Sequence, residues 1–79
     1  MKIMKKKEFV ENFANQFDDT DFSAFEPGTK FKDLEEWSSI IALSIIAMVD
    51  EEYEVKIKGD DIRNSTTIED LYNIVKSRM

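Results

Sequence analysis

Two adjacent serines, Ser38 and Ser39, stand directly before the most apolar segment of the chain, and their hydroxyls are candidates for chemistry. A serine that acts as the nucleophile of its own enzyme needs a neighbouring base, and the chain contains no histidine. It also contains no cysteine, so it offers no thiol nucleophile. We therefore expect no catalysis by the chain itself, and a functional serine here must be one on which another protein acts.

A structural role competes with this interpretation of the serines. A serine before an apolar run commonly caps a helix, because its oxygen accepts a hydrogen bond from an unpaired backbone N–H. The same helix end also favours a phosphate group, since it presents free N–H groups and a positive potential. Spacing alone favours the capping role and does not say which serine fills it.

Acidic residues flank the apolar segment on both sides. Glu35 and Glu36 precede the serines, and Asp50, Glu51 and Glu52 close the apolar run. Acids at a helix C-terminus oppose the dipole, so this cluster is either a solvated helix end or a recognition surface for a basic partner. Further acids could hold a divalent cation loosely, but they lack the spacing of a calcium-binding loop, and we predict no metal site. These acids are Asp18, Asp19, Asp21, Asp60 and Asp61.

The distribution of charge limits the classes of partner. The chain of 79 residues has 11 basic and 17 acidic side chains, a net charge of −6. Four lysines lie in the first seven residues, so residues 8–79 carry a net charge of −10. Such a body repels nucleic acid and anionic membrane and attracts basic protein surfaces. The longest apolar stretch, residues 40–49, is too short to span a bilayer, and we expect a soluble, cytoplasmic protein.

The periodicity of the apolar residues predicts how the chain is organised before the serines. Phe9, Phe13 and Phe17 recur every four residues and predict a first helix at about residues 3–17. A long loop with a turn at "EPGT" follows, and its apolar residues should attach it to the core at intervals. These apolar residues are Phe22, Phe25, Phe31 and Leu34.

The remaining elements are also predicted to be helical. The segment "SIIALSIIAMVDEEY" predicts a second helix, because its length and lack of alternation outweigh the strand preference of Ile and Val. "EVKIKGDDI" predicts an extended connector and a helical turn at about residues 60–64. Thr66 and Glu69 have capping-box spacing and should begin the last helix. We predict an all-α fold, a small four-helix bundle with three main helices and one short helix, formed by residues 1–79 as a single domain.

The whole pattern resembles an acyl carrier protein. That family is a four-helix bundle with a long first loop, and its second helix begins with Asp-Ser-Leu and ends in an acidic cluster followed by an aromatic residue. Here the corresponding text is "SSIIALSIIAMVDEEY", and the "EEWSS" lead-in is similar to stand-alone carriers with a tryptophan before the motif. The resemblance runs from Phe9 to Val75. It is strongest from Phe31 to Tyr53 and in "TTIEDLYNIV".

This resemblance implies a function. A phosphopantetheinyl transferase would attach 4'-phosphopantetheine from coenzyme A to the motif serine, and the thiol of that arm would carry acyl or aminoacyl groups as thioesters. The chain would be a non-catalytic carrier in fatty-acid, lipid or specialised-metabolite biosynthesis. Its partners would be the transferase and the loading and acyl-transfer enzymes, which would meet it through basic or apolar docking surfaces. The family's habit is a monomer.

The resemblance also assigns residues. With Ser39 as the motif serine, the acidic cluster and Tyr53 fall where the family has them, whereas Ser38 would shift them by one position. Ser39 is then the attachment site, Ser38 takes the family's Asp position as an N-cap, and Trp37 and Ile40 flank the pair. The implied docking residues are Glu35, Glu36, Ile41, Ser44, Asp50, Glu51 and Glu52. The implied acyl cleft beside helix two is lined by Ile45, Met48, Val49 and Ile62.

The chain departs from the family's pattern at the front of helix two. Ser38 keeps the capping ability of the family's Asp but loses its charge, which helps the transferase engage. Ser44 stands where many members have Glu, and Ile41 where many have a polar residue. We therefore expect a partner surface that is less basic and more hydrophobic than a general fatty-acid synthase offers. The unusual Ser38 also leaves open an alternative function, an unmodified helical interaction module that docks a partner through helix two.

Overall fold

The computed structural model describes residues 4–79, and this part of the chain is helical and contains no β-strand. The prediction of an all-α fold, a small helical bundle, is confirmed. Two short 3-10 helices, Phe22–Ala24 and Phe31–Asp33, interrupt the long first loop. The four α-helices are α1 (Lys6–Ala14), α2 (Ser39–Tyr53), α3 (Gly59–Arg63) and α4 (Ile68–Ser77).

Helix α1 is shorter than the predicted helix at residues 3–17, of which residue 3 lies outside the described part of the chain. After Ala14 the backbone changes to tighter bonds, in which the N–H of Gln16 donates to the carbonyl of Phe13 at 3.1 Å and that of Phe17 to Ala14 at 3.0 Å. Such i→i+3 bonds satisfy helix-end carbonyls while they end the α-helix. Phe17 still reaches the core, so the predicted apolar stripe is confirmed; its buried members are Phe9, Val10, Phe13, Ala14 and Phe17.

The first loop is attached to the core by only some of its predicted anchors. Phe25 and Phe31 are buried, and Leu34 packs partly buried against the core. The ring of Phe31 meets that of Phe13 edge-on, with centroids 5.2 Å apart. The prediction for Phe22 is wrong, because it lies on a 3-10 helix with no buried residue and is 56% exposed.

Helix α2 is the long central element and begins at Ser39, as predicted. It ends where Glu54 adopts a left-handed conformation, with φ of 56°, and donates its N–H to the carbonyl of Asp50 at 3.0 Å. The predicted extended connector follows, with Val55 and Ile57 both buried. Five side chains of α2 enter the core, namely Ile41, Ile45, Met48, Val49 and Tyr53.

The start of α4 differs by one residue from the predicted capping box. Thr67, not Thr66, is the N-cap, and its side chain accepts a hydrogen bond from the N–H of Asp70 at 3.2 Å. The Asp70 carboxylate accepts from the N–H groups of Thr66 and Thr67, each at 3.0 Å. Glu69, the predicted partner of the box, instead forms an ion pair with Lys6 of α1. The same spacing occurs twice in "TTIED", and packing of Ile68, which is 0% exposed, selects the second.

Helix α3 occupies the predicted short turn, one residue earlier than predicted. Asp61 on this helix accepts hydrogen bonds from both terminal nitrogens of Arg78, at 2.7 and 2.6 Å, and so connects α3 to the end of α4. In the range 4–79, no helix is long and apolar enough to cross a membrane.

Candidate functional site

The two serines have different positions at the start of α2. Ser38 is the N-cap, with φ of −156° and ψ of 169°, and its hydroxyl accepts a hydrogen bond from the N–H of Ile41 at 3.2 Å. Ser39 is the first residue of the helix and is exposed to solvent. Within the described chain, the Ser39 side chain has no hydrogen-bond partner. The predicted capping role of Ser38 is confirmed, and the Ser39 hydroxyl is left accessible.

The first turn of α2 also keeps an uncompensated positive end. The first backbone N–H groups of a helix have no partner within the helix, and the aligned peptide dipoles place a positive potential there. Ser38 satisfies one of these groups, and no acidic side chain lies in the first turn. An anion attached at Ser39 would therefore meet free N–H groups and a favourable potential.

Glu36, three residues before Ser39, is engaged inside the molecule. One carboxylate oxygen accepts from the N–H of Asp18 at 2.6 Å, and the other from the N–H groups of Asp19 and Thr20 at 3.0 and 2.9 Å. The second oxygen also accepts from the Thr20 hydroxyl at 2.7 Å. The hydroxyl of Thr20, followed by the N–H of Asp18, holds the pKa of the Glu36 carboxyl below its ordinary value.

These contacts correct the assignment of Glu36 to a docking surface. A half-buried carboxylate that already accepts four hydrogen bonds has little capacity left for a partner's cation. Its neighbour Glu35 is exposed, and its docking role stays a prediction. Sequence spacing gave no indication of this role, because the partners of Glu36 lie 16 to 18 residues away along the chain.

Trp37 packs the lead-in of α2 against the aromatic core. Its ring meets that of Phe31 edge-on at a centroid distance of 5.0 Å and lies 6.4 Å from that of Phe17. It is partly buried. The residue before the serines therefore fixes the backbone and does not extend toward solvent as a free aromatic group.

The outer face of α2 carries exposed apolar side chains close to Ser39. Ile40 is 74% exposed and Leu43 is 65% exposed. Residues three apart share one side of a helix, so these two form a single apolar patch. Leu43 was not among the predicted site residues, although its spacing from Ile40 could have indicated it.

Ile41 was predicted to face a partner, and the structure corrects this. It is 8% exposed and belongs to the core, because it lies one turn from the fully buried Ile45 on the inner face of α2. Ser44 is half-buried and lines a shallow groove between α1 and α2, together with Glu51 and Glu52. The apolar character of the front of α2 therefore comes from Ile40 and Leu43.

The acidic end of α2 is exposed except for its aromatic residue. Asp50, Glu51 and Glu52 are exposed, whereas Tyr53 is buried and its hydroxyl accepts a hydrogen bond from the side-chain amide of Asn12 at 2.9 Å. Burial raises the pKa of the Tyr53 hydroxyl above its ordinary value. Tyr53 thus packs the end of α2 against α1, and the three acids remain at the surface.

The residues assigned to an acyl cleft lie in the hydrophobic core. Each is at most 5% exposed; they are Ile45, Met48, Val49 and Ile62. A groove of about 420 Å³ lies elsewhere, between α1 and the first loop, where Val10, Phe22 and Phe25 form part of its lining. Neither Ser39 nor the four core residues line that groove.

The predicted acidic pairs do not assemble into a cluster. In the described chain, no group of three or more metal-ligating side chains is close enough together to hold a metal ion. Asp61 is committed to Arg78, and Asp21 accepts a hydrogen bond from the N–H of Ser23 at 2.9 Å. These two acids therefore have structural roles.

No protein-family model matches the chain, and no curated protein or solved structure is significantly similar to it. What the chain does must therefore be argued from its own residues and their geometry.

Proposed function

We propose that the chain is an acyl carrier protein that bears 4'-phosphopantetheine on Ser39. The observation that carries this proposal is the division of roles at the start of α2. Ser38 caps the helix, so the neighbouring hydroxyl of Ser39 is exposed and has no structural bond to lose. In the transfer, the Ser39 oxygen forms a bond to the β-phosphorus of coenzyme A, 3',5'-adenosine bisphosphate leaves, and the hydroxyl proton is released.

The residues around Ser39 fit such a group. A phosphodiester is an anion, and the first turn of α2 offers unpaired N–H groups and a positive potential without a competing acid. When bound, the arm supplies the thiol on which acyl or aminoacyl groups are carried as thioesters, and the chain itself has no cysteine. The core residues Ile45, Met48, Val49 and Ile62 are the proposed lining for an acyl chain that enters beside α2.

The surface around Ser39 supports a mixed docking mode for partner enzymes. Ile40 and Leu43 offer an apolar patch, and Asp50 and Glu51 offer negative charge toward the other end of the same helix. Partners with an apolar contact and a basic rim complement this arrangement. We propose that these partners are the transferase and the acyl- or aminoacyl-loading and acyl-transfer enzymes, and that the chain works in the cytoplasm as a monomer.

One observation favours a second candidate function. The exposed pair Ile40 and Leu43 would serve equally well in an unmodified interaction module that binds a partner through α2. Ser38 in place of an acid is consistent with that alternative, because a transferase loses one charged contact. The two functions differ in whether Ser39 becomes modified.

The deciding experiment is mass spectrometry of the intact protein after incubation with coenzyme A, Mg²⁺ and a broad-specificity transferase. We expect a gain of one phosphopantetheine. The gain should persist in Ser38→Ala and disappear in Ser39→Ala. A complete absence of modification by every transferase of the source organism would overturn the carrier proposal and favour the interaction module.

A matched variant tests the role of the missing acid. Ser38→Asp keeps an N-cap and adds a negative charge next to Ser39. We expect it to be modified faster than the natural chain, with the helix equally well formed by circular dichroism. Modification lost in Ser38→Ala but kept in Ser39→Ala would instead place the arm on Ser38.

A further inference from the structure

The carboxylate of Glu36 connects the end of the first loop to its beginning. It binds three consecutive backbone N–H groups, those of residues 18–20, and the Thr20 hydroxyl. We call this set of four hydrogen bonds the Glu36 clasp. Among residues 4–79, the three N–H groups have no other acceptor, so Glu36 accepts all of their hydrogen bonds. Hydrogen bonds to an ionised carboxylate are roughly twice as strong as those between neutral groups.

An aromatic contact lies beside the clasp. Phe17 immediately precedes the bound N–H groups, Trp37 immediately follows Glu36, and their rings lie 6.4 Å apart. The clasp and this aromatic contact together hold residues 17–20 against residues 36 and 37. The start of the first loop, which follows α1, is therefore fixed to the backbone that enters α2.

Each residue that leads into α2 is held by a different contact. Glu36 is held by the clasp, Trp37 by aromatic packing, and Ser38 by its bond to the N–H of Ile41. Ser39 follows directly, and its side chain has no hydrogen bond within residues 4–79. The backbone position from which its hydroxyl extends is therefore set by the three residues before it.

We propose that Glu36 is a positioning residue for Ser39, acting through the clasp on the backbone that precedes α2. This inference rests on the proposed modification of Ser39. Group transfer requires the attacking oxygen to be aligned, and a displacement of about 1 Å can reduce the rate by up to about 100-fold. An open clasp frees the lead-in while the buried side chains of α1 and α2 stay in place, so it should lower the rate of transfer without unfolding the bundle.

The chain offers a matched control in the neighbouring residue. Glu36→Gln replaces one carboxylate oxygen by an amide N–H₂, which faces a backbone N–H donor and cannot accept from it. Glu35→Gln makes the same change of charge one residue away, at an exposed side chain without a hydrogen bond in the described chain. Both variants lose one negative charge near Ser39, but only Glu36→Gln loses a bond of the clasp. Glu35→Gln removes an exposed carboxylate of the proposed docking surface, and that loss should appear in KM.

The first measurement is amide exchange with solvent, followed by NMR for residues 18–20. We expect exchange to be at least about tenfold faster in Glu36→Gln than in the natural chain, as bonded amides become open to water. Glu35→Gln should leave these rates unchanged. This measurement does not depend on any modification of Ser39. Unchanged exchange in Glu36→Gln would show that the clasp does not hold the loop and would overturn the proposal.

The second measurement is the rate of phosphopantetheine transfer, separated into kcat and KM. Glu35→Gln should raise KM, because its exposed carboxylate is open to a basic partner, and Glu36→Gln should change KM less, because its carboxylate already accepts four hydrogen bonds. We expect kcat to fall about tenfold in Glu36→Gln only, since only this variant loses alignment. Thr20→Val, which removes a single bond of the clasp, should lower kcat by a smaller factor.

The two measurements separate the possible failures. Faster exchange with an unchanged kcat would leave the clasp intact as a structural element but overturn its positioning role. Equal falls of kcat in Glu36→Gln and Glu35→Gln would assign the effect to charge and also overturn it. A natural chain that is never modified would refute the carrier function, while the exchange measurement would still decide whether the clasp holds the loop.

Discussion

The starts of α2 and α4 differ in how their backbone N–H groups find hydrogen-bond acceptors. At α4, Thr67 and Asp70 form a complete capping box. The next N–H groups are also used, since Ile68 donates to the carbonyl of Thr29 at 3.2 Å and Glu69 to that of Pro27 at 2.9 Å. At α2, the cap is one hydrogen bond to Ser38, and no acid lies in the first turn.

This difference shows which helix start uses its N–H groups within the fold and which leaves them open to solvent. The N–H groups at α4 are consumed in attaching the first loop, so that end stabilises the fold and offers nothing to a ligand. The start of α2 is held from behind, by Glu36 and Trp37, and faces solvent in front. A helix end that is capped minimally but firmly positioned suits a group that another protein must reach.

The largest expected difference between the two helix starts concerns the isoleucine in the first turn of each helix. Ile68 is 0% exposed and Ile40 is 74% exposed. We expect Ile68→Ala to lower the free energy of unfolding by about 2–5 kcal/mol, because it removes buried methylenes and leaves a cavity. Ile40→Ala should change it by less than about 0.5 kcal/mol, as surface substitutions usually do. Urea denaturation followed by circular dichroism measures both values.

A control is needed because a small domain has only about 3–5 kcal/mol to lose. Ile68→Val removes one methyl group and should cost about 0.5–1.5 kcal/mol, which keeps the chain measurably folded. Equal effects of alanine at residues 68 and 40 would show that both helix starts contribute to the core in the same way, and the comparison would be wrong.

A smaller difference is expected between the two caps. Thr67→Ala should cost about 1–2 kcal/mol, since the box loses a bond and its packing with the first loop is loosened. Ser38→Ala should cost about 0.5–1 kcal/mol, because a single bond is lost at an exposed end. Thermal denaturation of the two variants, at the same protein concentration and salt, gives the order.

Thr66→Ala is the matched control for the cap at α4. Thr66 has the same residue type one position earlier, and its side chain has no hydrogen bond in the described chain. Its loss should therefore change stability by less than about 0.5 kcal/mol. A larger loss of stability for Thr66→Ala than for Thr67→Ala would show that Thr66 is the N-cap, as the spacing predicts.

The two helix starts also show where prediction from sequence succeeds and where it stops. A serine cap at the start of α2 was predictable, because a serine before a long apolar run has a local cause, but the choice of Ser38 over Ser39 came from the family resemblance. The choice between Thr66 and Thr67 was not predictable, since "TTIED" contains the capping spacing twice and only the burial of Ile68 decides. Local rules give the existence of a helix start, and packing gives its residue.

The exposed and buried sides of α2 show the same limit. Ile40 and Ile41 are adjacent and identical in type, yet one is exposed and the other buried. A segment that is apolar on nearly every side carries little periodic signal, so the side that faces the core is set by α1 and α3. Glu36 was mistaken for a docking residue for a related reason. Its partners are distant in sequence, and nothing local distinguishes it from Glu35.

The smallest predicted effect concerns pH and separates the two caps by their chemistry. The N–H of Thr67, followed by that of Thr66, holds the pKa of the Asp70 carboxyl below its ordinary value of 3.8. A lowered pKa means that the folded state favours the ionised form, so the stabilisation is complete above 3.8 and is lost as the pH falls through the folded pKa. The cap at Ser38 has no ionisable group of its own, so acid acts on it only indirectly, through the Glu36 clasp, whose carboxyl pKa is also lowered.

We therefore expect the cap of α4 to open directly in acid, because Asp70 belongs to it, whereas the cap of α2 is affected only through Glu36. Amide exchange followed by NMR as the pH is lowered below 3.8 should show extra opening at Thr66 and Thr67, beyond the intrinsic change of exchange rate, and less at Ile41. Asp70→Asn keeps an acceptor oxygen without a titrating proton, so the extra opening should disappear. Acid-dependent opening at Ile41 equal to that at Thr67 would mean that global unfolding, and not the ionised cap of α4, controls the response.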